Sequence, residues 1–252
     1  MPPFVVPALV LLMAVIPSAD ARELKILTGA GMSIPVRALA ADFGARSNMT
    51  VTVVSDTAGG VQKRIEAGEA FDLVIGTQAV LDTLTKQHKV SAAHTDLAQM
   101  VAGIGARNGA AAPAVADSAQ FKATLLAAKT ITYVDPASGG ITGVFFLSQA
   151  DKLGVGQEVR AKAVLRPNGT GVAQAVASGD AQYGVTLISE MLPNAGVTVW
   201  PLPDALQMTT IYTAAITNAA QNPVDAKAML DELSGAKGRA ANLKAGLKPV
   251  SH

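Results

Sequence analysis

The chain has 252 residues, 50% of them hydrophobic and only 15% charged, with a formal net charge of +1. That is enough apolar material for a large core divided between two lobes of ordinary domain size, and it excludes a disordered or fibrous chain. The near-neutral balance, with no run of Lys/Arg interleaved with aromatics, gives no nucleic-acid surface, and the absence of cysteine excludes disulfides, thiolate metal sites and a lipid-modified cysteine.

Residues 1–21 are apolar from Phe4 to Ile16 and close with Pro17-Ser18-Ala19-Asp20-Ala21, which places small residues where a signal peptidase reads. The run is shorter than the ~20 residues that span a bilayer. A signal peptide cleaved after Ala21 and a periplasmic product are expected, although the first residues carry no Lys or Arg.

Beyond it, short β-rich runs alternate with amphipathic helical runs, the pattern of an α/β protein with largely parallel sheets. Leu24–Thr28 predicts a strand, and Ser33 the N-cap of a helix that reaches about Arg46. Val51–Val54 is a second strand, Val61–Ala67 a short helix stopped by Gly68, Asp72–Gly76 a third strand and Gln78–Gln87 a helix. Leu97–Ala106 reads as one strand leading to Arg107-Asn108-Gly109, where the chain is expected to cross to a second lobe. There the spacing predicts a helix over Ser118–Lys129, a strand Thr130–Val134, a helix Thr142–Leu153 and a strand Lys162–Leu165. A helix Gly171–Ala177 and strands Tyr183–Leu187 and Val197–Trp200 follow. A strand Leu206–Thr217 returns the chain, and helices Pro223–Leu233 and Lys237–Ala245 complete the first lobe. The expected organisation is a first lobe over 22–103, a second over 104–205, and a return over 206–252.

Three of these joins are alike: an apolar strand ends in a Gly/Ser/Thr loop that passes straight into a helix, at Gly29–Ser33, at Ser55–Gly60 and at Asp135–Thr142. Such loops aim backbone N–H groups, small hydroxyls and the positive end of a helix dipole at whatever lies above the strand ends, which is chemistry for holding an anion. No HExxH, GxSxG or P-loop pattern is present, and His88, His94 and His252 have no metal-ligand spacing. No metal and no cofactor are expected.

The segments Lys25–Ser33, Asp56–Gln62 with Ile65–Gly68, Asp72–Ile75, Asp135–Gly140, Ala177–Gln182 and Gly184 together resemble the type II periplasmic substrate-binding proteins, in the branch of molybdate-binding proteins of ABC transporters. The resemblance implies an α/β fold of two lobes, each with a central sheet, joined by crossover strands and closing over a ligand in the cleft between them. In that branch serine hydroxyls of the first two loops, backbone amides and a tyrosine of a late strand hold the oxyanion. Here those three positions fall on Gly31, Ala58 and Leu187, which offer no side-chain donor, while Ser33, Thr57, Ser138 and Thr142 remain as nearby hydroxyls. A buried anion without donors is strongly disfavoured. The late segment Gly184–Pro193, with Pro201-Leu202-Pro203 and Leu206-Gln207, further resembles a sub-branch that includes periplasmic aconitate isomerase, an enzyme on the same fold.

Candidate ligand-binding residues are therefore Gly31, Ser33, Thr57, Ala58, Gly59, Ser138, Gly139, Gly140, Thr142 and Leu187, with Arg107 as a guanidinium clamp for a carboxylate or, alternatively, a solvated or hinge charge. Ser33 is also open to a plain capping role. If the chain is an isomerase, Glu190 and Asp56 are the candidate bases, each with a structural ion pair or cap as the alternative. Tyr183 and Tyr212 are open to core or cleft-rim roles. The leading expectation is a monomeric receptor that delivers a small anion, an oxyanion such as molybdate or an organic carboxylate, to an ABC permease. The alternative is isomerisation of trans- to cis-aconitate by allylic proton transfer, and a sensory binding module is a third.

Overall fold

The computed structural model describes residues 22–250, so the expected signal peptide lies outside the described residues. In chain order the elements are β1 (Glu23–Gly29), α1 (Ser33–Ser47), β2 (Thr50–Asp56), α2 (Ala58–Glu66), β3 (Leu73–Thr77), α3 (Gln78–Lys86), β4 (Thr95–Gln99) and β5 (Ala102–Arg107). They continue with α4 (Ser118–Ala127), β6 (Ile131–Val134), α5 (Ile141–Lys152), α6 (Gly156–Ala161), β7 (Ala163–Arg166), α7 (Gly169–Ser178), β8 (Tyr183–Leu187) and α8 (Ile188–Met191). The last are β9 (Val197–Pro201), β10 (Ile211–Ile216), α9 (Pro223–Ser234), α10 (Ala236–Lys244) and β11 (Lys248–Pro249).

The strands form two sheets, one of six in the order β11-β4-β10-β3-β1-β2 and one of five in the order β7-β6-β8-β5-β9. In the first sheet β2, β1 and β3 run parallel, and β10 is inserted antiparallel between β3 and β4. In the second, β7, β6 and β8 run parallel while β5 is antiparallel to both β8 and β9. The parallel strands are nearly continuous apolar runs because helices cover both faces; all of Leu73–Thr77 and of Ile131–Val134 is buried.

One core cluster runs through both lobes, from Leu24, Ile26 and Val36 through Met100, Ala102 and Ile104 to Phe121, Tyr133 and Phe146. Phe146 meets Phe121 and Tyr133 edge-on, with ring centroids 6.5 and 5.2 Å apart. A second cluster, Leu27, Val61, Ile65, Val74, Leu81 and Leu84 among its members, fills the other face of the first sheet under α2 and α3.

The run expected as one strand over Leu97–Ala106 is two strands of two different sheets. The chain crosses at Met100–Val101, so the expected boundary after residue 103 falls inside β5; it returns between Pro201 and Ile211. The two crossings are bound to each other. The Met100 N–H donates to the Thr210 carbonyl at 2.9 Å, and the Gln207 side chain accepts from the Ala102 N–H and donates to the carbonyls of Ala102 and Leu202. Ser33 is the first residue of α1 after a 3-10 turn over Ala30–Met32, rather than its N-cap; the cap position is Met32. Helix α2 starts at Ala58, earlier than expected, because the Thr57 hydroxyl caps the Gly60 N–H at 3.1 Å. The short α6 and α8 and the two-residue β11 were not expected.

Candidate functional site

In sheets of this kind ligands lie outside the carboxyl ends of the parallel strands, and here the carboxyl ends of both sheets face each other. From the first sheet the facing residues are Gly29 and Ala30 after β1, Thr57 and Ala58 after β2, and Gly76 and Thr77 of β3. From the second they are Val134 and Gly140–Thr142 after β6, Asn168 and Gly169 after β7, and Leu187 and Glu190 after β8. Together with Met100 and Tyr212 they enclose a cavity of about 30 Å³, taken as the space open to the centre of a water-sized sphere. That volume holds a water molecule or two. A larger ligand needs more room than the lobes leave here.

Four helices, α2, α3, α5 and α7, begin at this cavity. The side chains of Thr57, Thr77 and Asn168 each accept one first-turn N–H, from Gly60, Val80 and Gly171. Further first-turn N–H groups and the positive ends of the four dipoles remain directed at the cleft, each contributing about 0.3–1 kcal/mol toward an anion. Among the described residues no Lys or Arg lines the cavity. The anion-holding capacity therefore resides in backbone dipoles and hydroxyls.

Glu190 stands out in this electropositive setting. Its Oε2 accepts from the Thr186 hydroxyl at 2.6 Å, and the Thr186 hydroxyl lies 3.3 Å from that of Thr142. Burial pushes the Glu190 carboxyl above the ordinary glutamate value, offset in part by the Thr186 hydrogen bond and the Leu187 backbone N–H. A hydroxyl both donates and accepts, so the row Thr142–Thr186–Glu190 suits both states of the acid. With Glu190 ionised, Thr186 donates to it and accepts from Thr142; with Glu190 protonated, the direction reverses. There is room for this carboxyl only because residue 169 has no side chain: a Cβ there would lie 1.9 Å from Glu190 Oε2.

Opposite Glu190, on the other lobe, is Tyr212. Its place follows from register: Tyr212 of β10 pairs with Thr77 of β3, at the cleft end of the first sheet, and it is 4% exposed. Burial, and then the nearby Glu190 charge, raise its pKa, while the Gly31 N–H facing the phenol oxygen pulls the other way. The phenol occupies the space beside Gly31, where a Cβ would lie 2.4 Å from Tyr212 Oη, 2.6 Å from Leu187 Cδ1 and 3.0 Å from Ser189 Oγ. Glycine at 31, where the resembled branch has a serine, thus has a steric counterpart: Tyr212 fills the place a residue-31 side chain would take.

Of the residues expected from sequence, Thr57, Ala58, Gly140, Thr142, Leu187 and Glu190 lie at the cavity. Gly31 sits beneath Tyr212, and Ser33 lies outside the lining. Gly59, Ser138 and Gly139 make the contact between the lobes: the Gly59 N–H donates to the Gly139 carbonyl at 3.2 Å, and the Thr57 hydroxyl to the Ser138 carbonyl at 3.3 Å. Asp56 is part of the framework, accepting from the Thr57 N–H and from Arg64, and does not reach the cavity. Arg107, the expected carboxylate clamp, does not line this cavity. Strand β5 enters at the cleft, where Ala102 pairs with cavity-lining Leu187, and runs away from it, so Arg107 is exposed at the far end of the sheet, roughly 17 Å along the strand. Tyr183 pairs with Ala106 at that same far end.

Two facing α/β lobes, a paired crossover and an anion-directed cleft at the strand ends define a solute-binding protein. Residues 24–248 match the family model of bacterial extracellular solute-binding proteins, and the chain belongs to that family. It is 29% identical to an aconitate isomerase of Pseudomonas sp over 236 residues, 90% of this chain and 88% of that one. Among solved structures it is similar to the periplasmic molybdate-binding protein of Azotobacter vinelandii, with a TM-score of 0.75 at 19% identity, covering 90% of this chain and all of the other. It is also similar to the substrate-binding protein of an ABC transporter from Agrobacterium tumefaciens, with a TM-score of 0.74 at 16% identity, covering 93% and 81%. These structural likenesses concern the fold.

Proposed function

We propose that the cleft captures a small polycarboxylate in the periplasm and shifts a proton along it, the reaction class of the aconitate isomerase to which the chain is similar. The observation that carries this reading is Glu190: a carboxyl with a raised pKa inside a cavity built from helix N-termini. A site meant only for a fully ionised oxyanion gains nothing from an acid, whereas removal of a proton next to a carboxylate needs a base in reach and positive potential for the charge that develops.

In this mechanism the lobes part, trans-aconitate enters, and closure places its carboxylates against the N-termini of α2, α5 and α7. Glu190 takes a proton from the methylene carbon; the electron pair spreads over the allylic system into the neighbouring carboxylate. A proton returned to the former vinyl carbon moves the double bond and yields cis-aconitate. One proton leaves carbon and one arrives, so no cofactor is required. The Thr142–Thr186 hydroxyl row follows the change in Glu190 protonation without breaking a hydrogen bond.

Family membership favours a second reading, a receptor that closes on the same anion and presents it to an ABC permease. One experiment separates them: the chain from Arg22 onward is incubated with trans-aconitate in D2O and followed by proton NMR. Cis-aconitate should accumulate, and Glu190→Gln should lower its rate by at least ~100-fold while still binding. Stabilisation by trans-aconitate in a thermal shift with no turnover would establish the receptor; a shift only with molybdate or sulfate would remove the carboxylate.

A further inference from the structure

Tyr212 is a buried phenol at a cavity whose other titratable group among the described residues is Glu190, and the two come from opposite lobes, β10 of the first and α8 of the second. A phenol in the core normally finds an acceptor for its proton. Here the phenol lines the cavity and its oxygen packs against Gly31, so a ligand in the cleft is placed to take that proton. Glycine at 31 is what allows this approach, since any Cβ would meet Oη at 2.4 Å.

We infer that Tyr212 is a catalytic residue of the same site, the acid that returns a proton to the vinyl carbon after Glu190 has removed one from the methylene carbon. This rests on the isomerase reading. The step balances: Glu190 breaks a C–H bond and holds that proton, the electron pair moves across the allylic carbons, and the Tyr212 O–H bond breaks as the new C–H bond forms. The phenolate left behind regains its proton from water when the lobes open, as Glu190 releases its own. Because the acid and the base sit on different lobes, both reach the ligand only in the closed form.

The test compares wild type, Tyr212→Phe and Glu190→Gln on trans-aconitate in D2O, reading two events separately by NMR. One is exchange of methylene hydrogen for deuterium in recovered trans-aconitate; the other is formation of cis-aconitate. Calorimetric titration confirms that each variant still binds. Tyr212→Phe should retain methylene exchange, since Glu190 still removes and returns the proton at that carbon, and should lose cis-aconitate formation by at least ~100-fold. Glu190→Gln should lose both. Cis-aconitate formed by Tyr212→Phe within a few-fold of wild type overturns the assignment and leaves the isomerase standing. Loss of both events in a Tyr212→Phe variant that still binds also overturns it, because the residue would then not be specific to proton return. A wild type that binds without exchange or isomerisation fails at the level of the function itself.

Discussion

Glu190 carries a cost that its neighbours only partly offset. Burial disfavours its charge, and one hydroxyl and one backbone N–H favour it, with a net rise above the ordinary value near 4.5. The consequence for stability has a definite sign. Between the ordinary and the raised pKa the folded protein keeps a proton that the unfolded chain has released, so stability falls as pH rises through that window and stays lower above it. Glu190→Gln does not titrate and escapes this loss. Scanning calorimetry of the pair from acid to neutral pH should show the variant gaining on wild type as pH rises, then levelling; a constant difference would mean that the Glu190 carboxyl titrates as it does in the unfolded chain. The same glutamate was legible in the sequence as a candidate base, but its partner was not. Tyr212 and Tyr183 look equivalent in one dimension, and what separates them is register: one pairs with Thr77 at the cleft, the other with Ala106 at the opposite end of its sheet.

Strand-to-helix joins govern the next scale. Asp72, at the entry to β3, is 3% exposed and accepts three backbone N–H groups, from Lys25 in β1 at 2.8 Å and from Gln221 and Asn222 ahead of α9 at 2.7 and 2.8 Å. It thereby ties a late helix, separated from it by about 150 positions in the chain, to the first sheet. Asp72→Ala leaves those donors buried without acceptors and should cost about 3 kcal/mol, a fall in Tm of roughly 6–12 °C. Thermal melting checks this, and a change within a degree would mean that water replaces the carboxylate. The parallel strands and their Gly/Ser/Thr joins were readable because each depends on local chemistry: an apolar run of four to seven residues, then a turn, then a cap. The division of Leu97–Ala106 was not, because both halves are apolar and only the crossing of Met100–Val101 between sheets tells them apart. The misplacing of Arg107 follows from the same cause. Once β5 is a separate strand running antiparallel to β8, its last residue must point away from the cleft.

At the scale of the whole molecule the lobes are linked by Met100–Val101 and residues 202–210, two crossings bound to one another, and the proposed function requires the cleft to open and close about them. The lobes touch at the mouth of the cleft. Gly59 and Gly139 meet backbone to backbone: a Cβ on Gly59 would lie 3.1 Å from Gly139 Cα, and Gly139 has φ of +78°, where a side chain is strained in any case. Gly59→Val keeps an ordinary φ but adds branches that reach past that 3.1 Å contact, and the Gly59 N–H to Gly139 carbonyl bond must open with them. The first lobe's packing is untouched, so the variant should melt within about a degree or two of wild type in the absence of ligand. Its defect should appear on binding. Small-angle scattering should show wild type contracting with trans-aconitate and Gly59→Val staying extended, and calorimetry should show affinity lower by at least ~10-fold, the loss of about 1.4 kcal/mol. If Gly59→Val contracts and binds as wild type does, ligand is held without that contact, and closure must instead be set behind the cleft, where a Cβ on Gly246 would meet Ile188 Cγ2 at 2.6 Å and Leu192 Cδ1 at 2.9 Å.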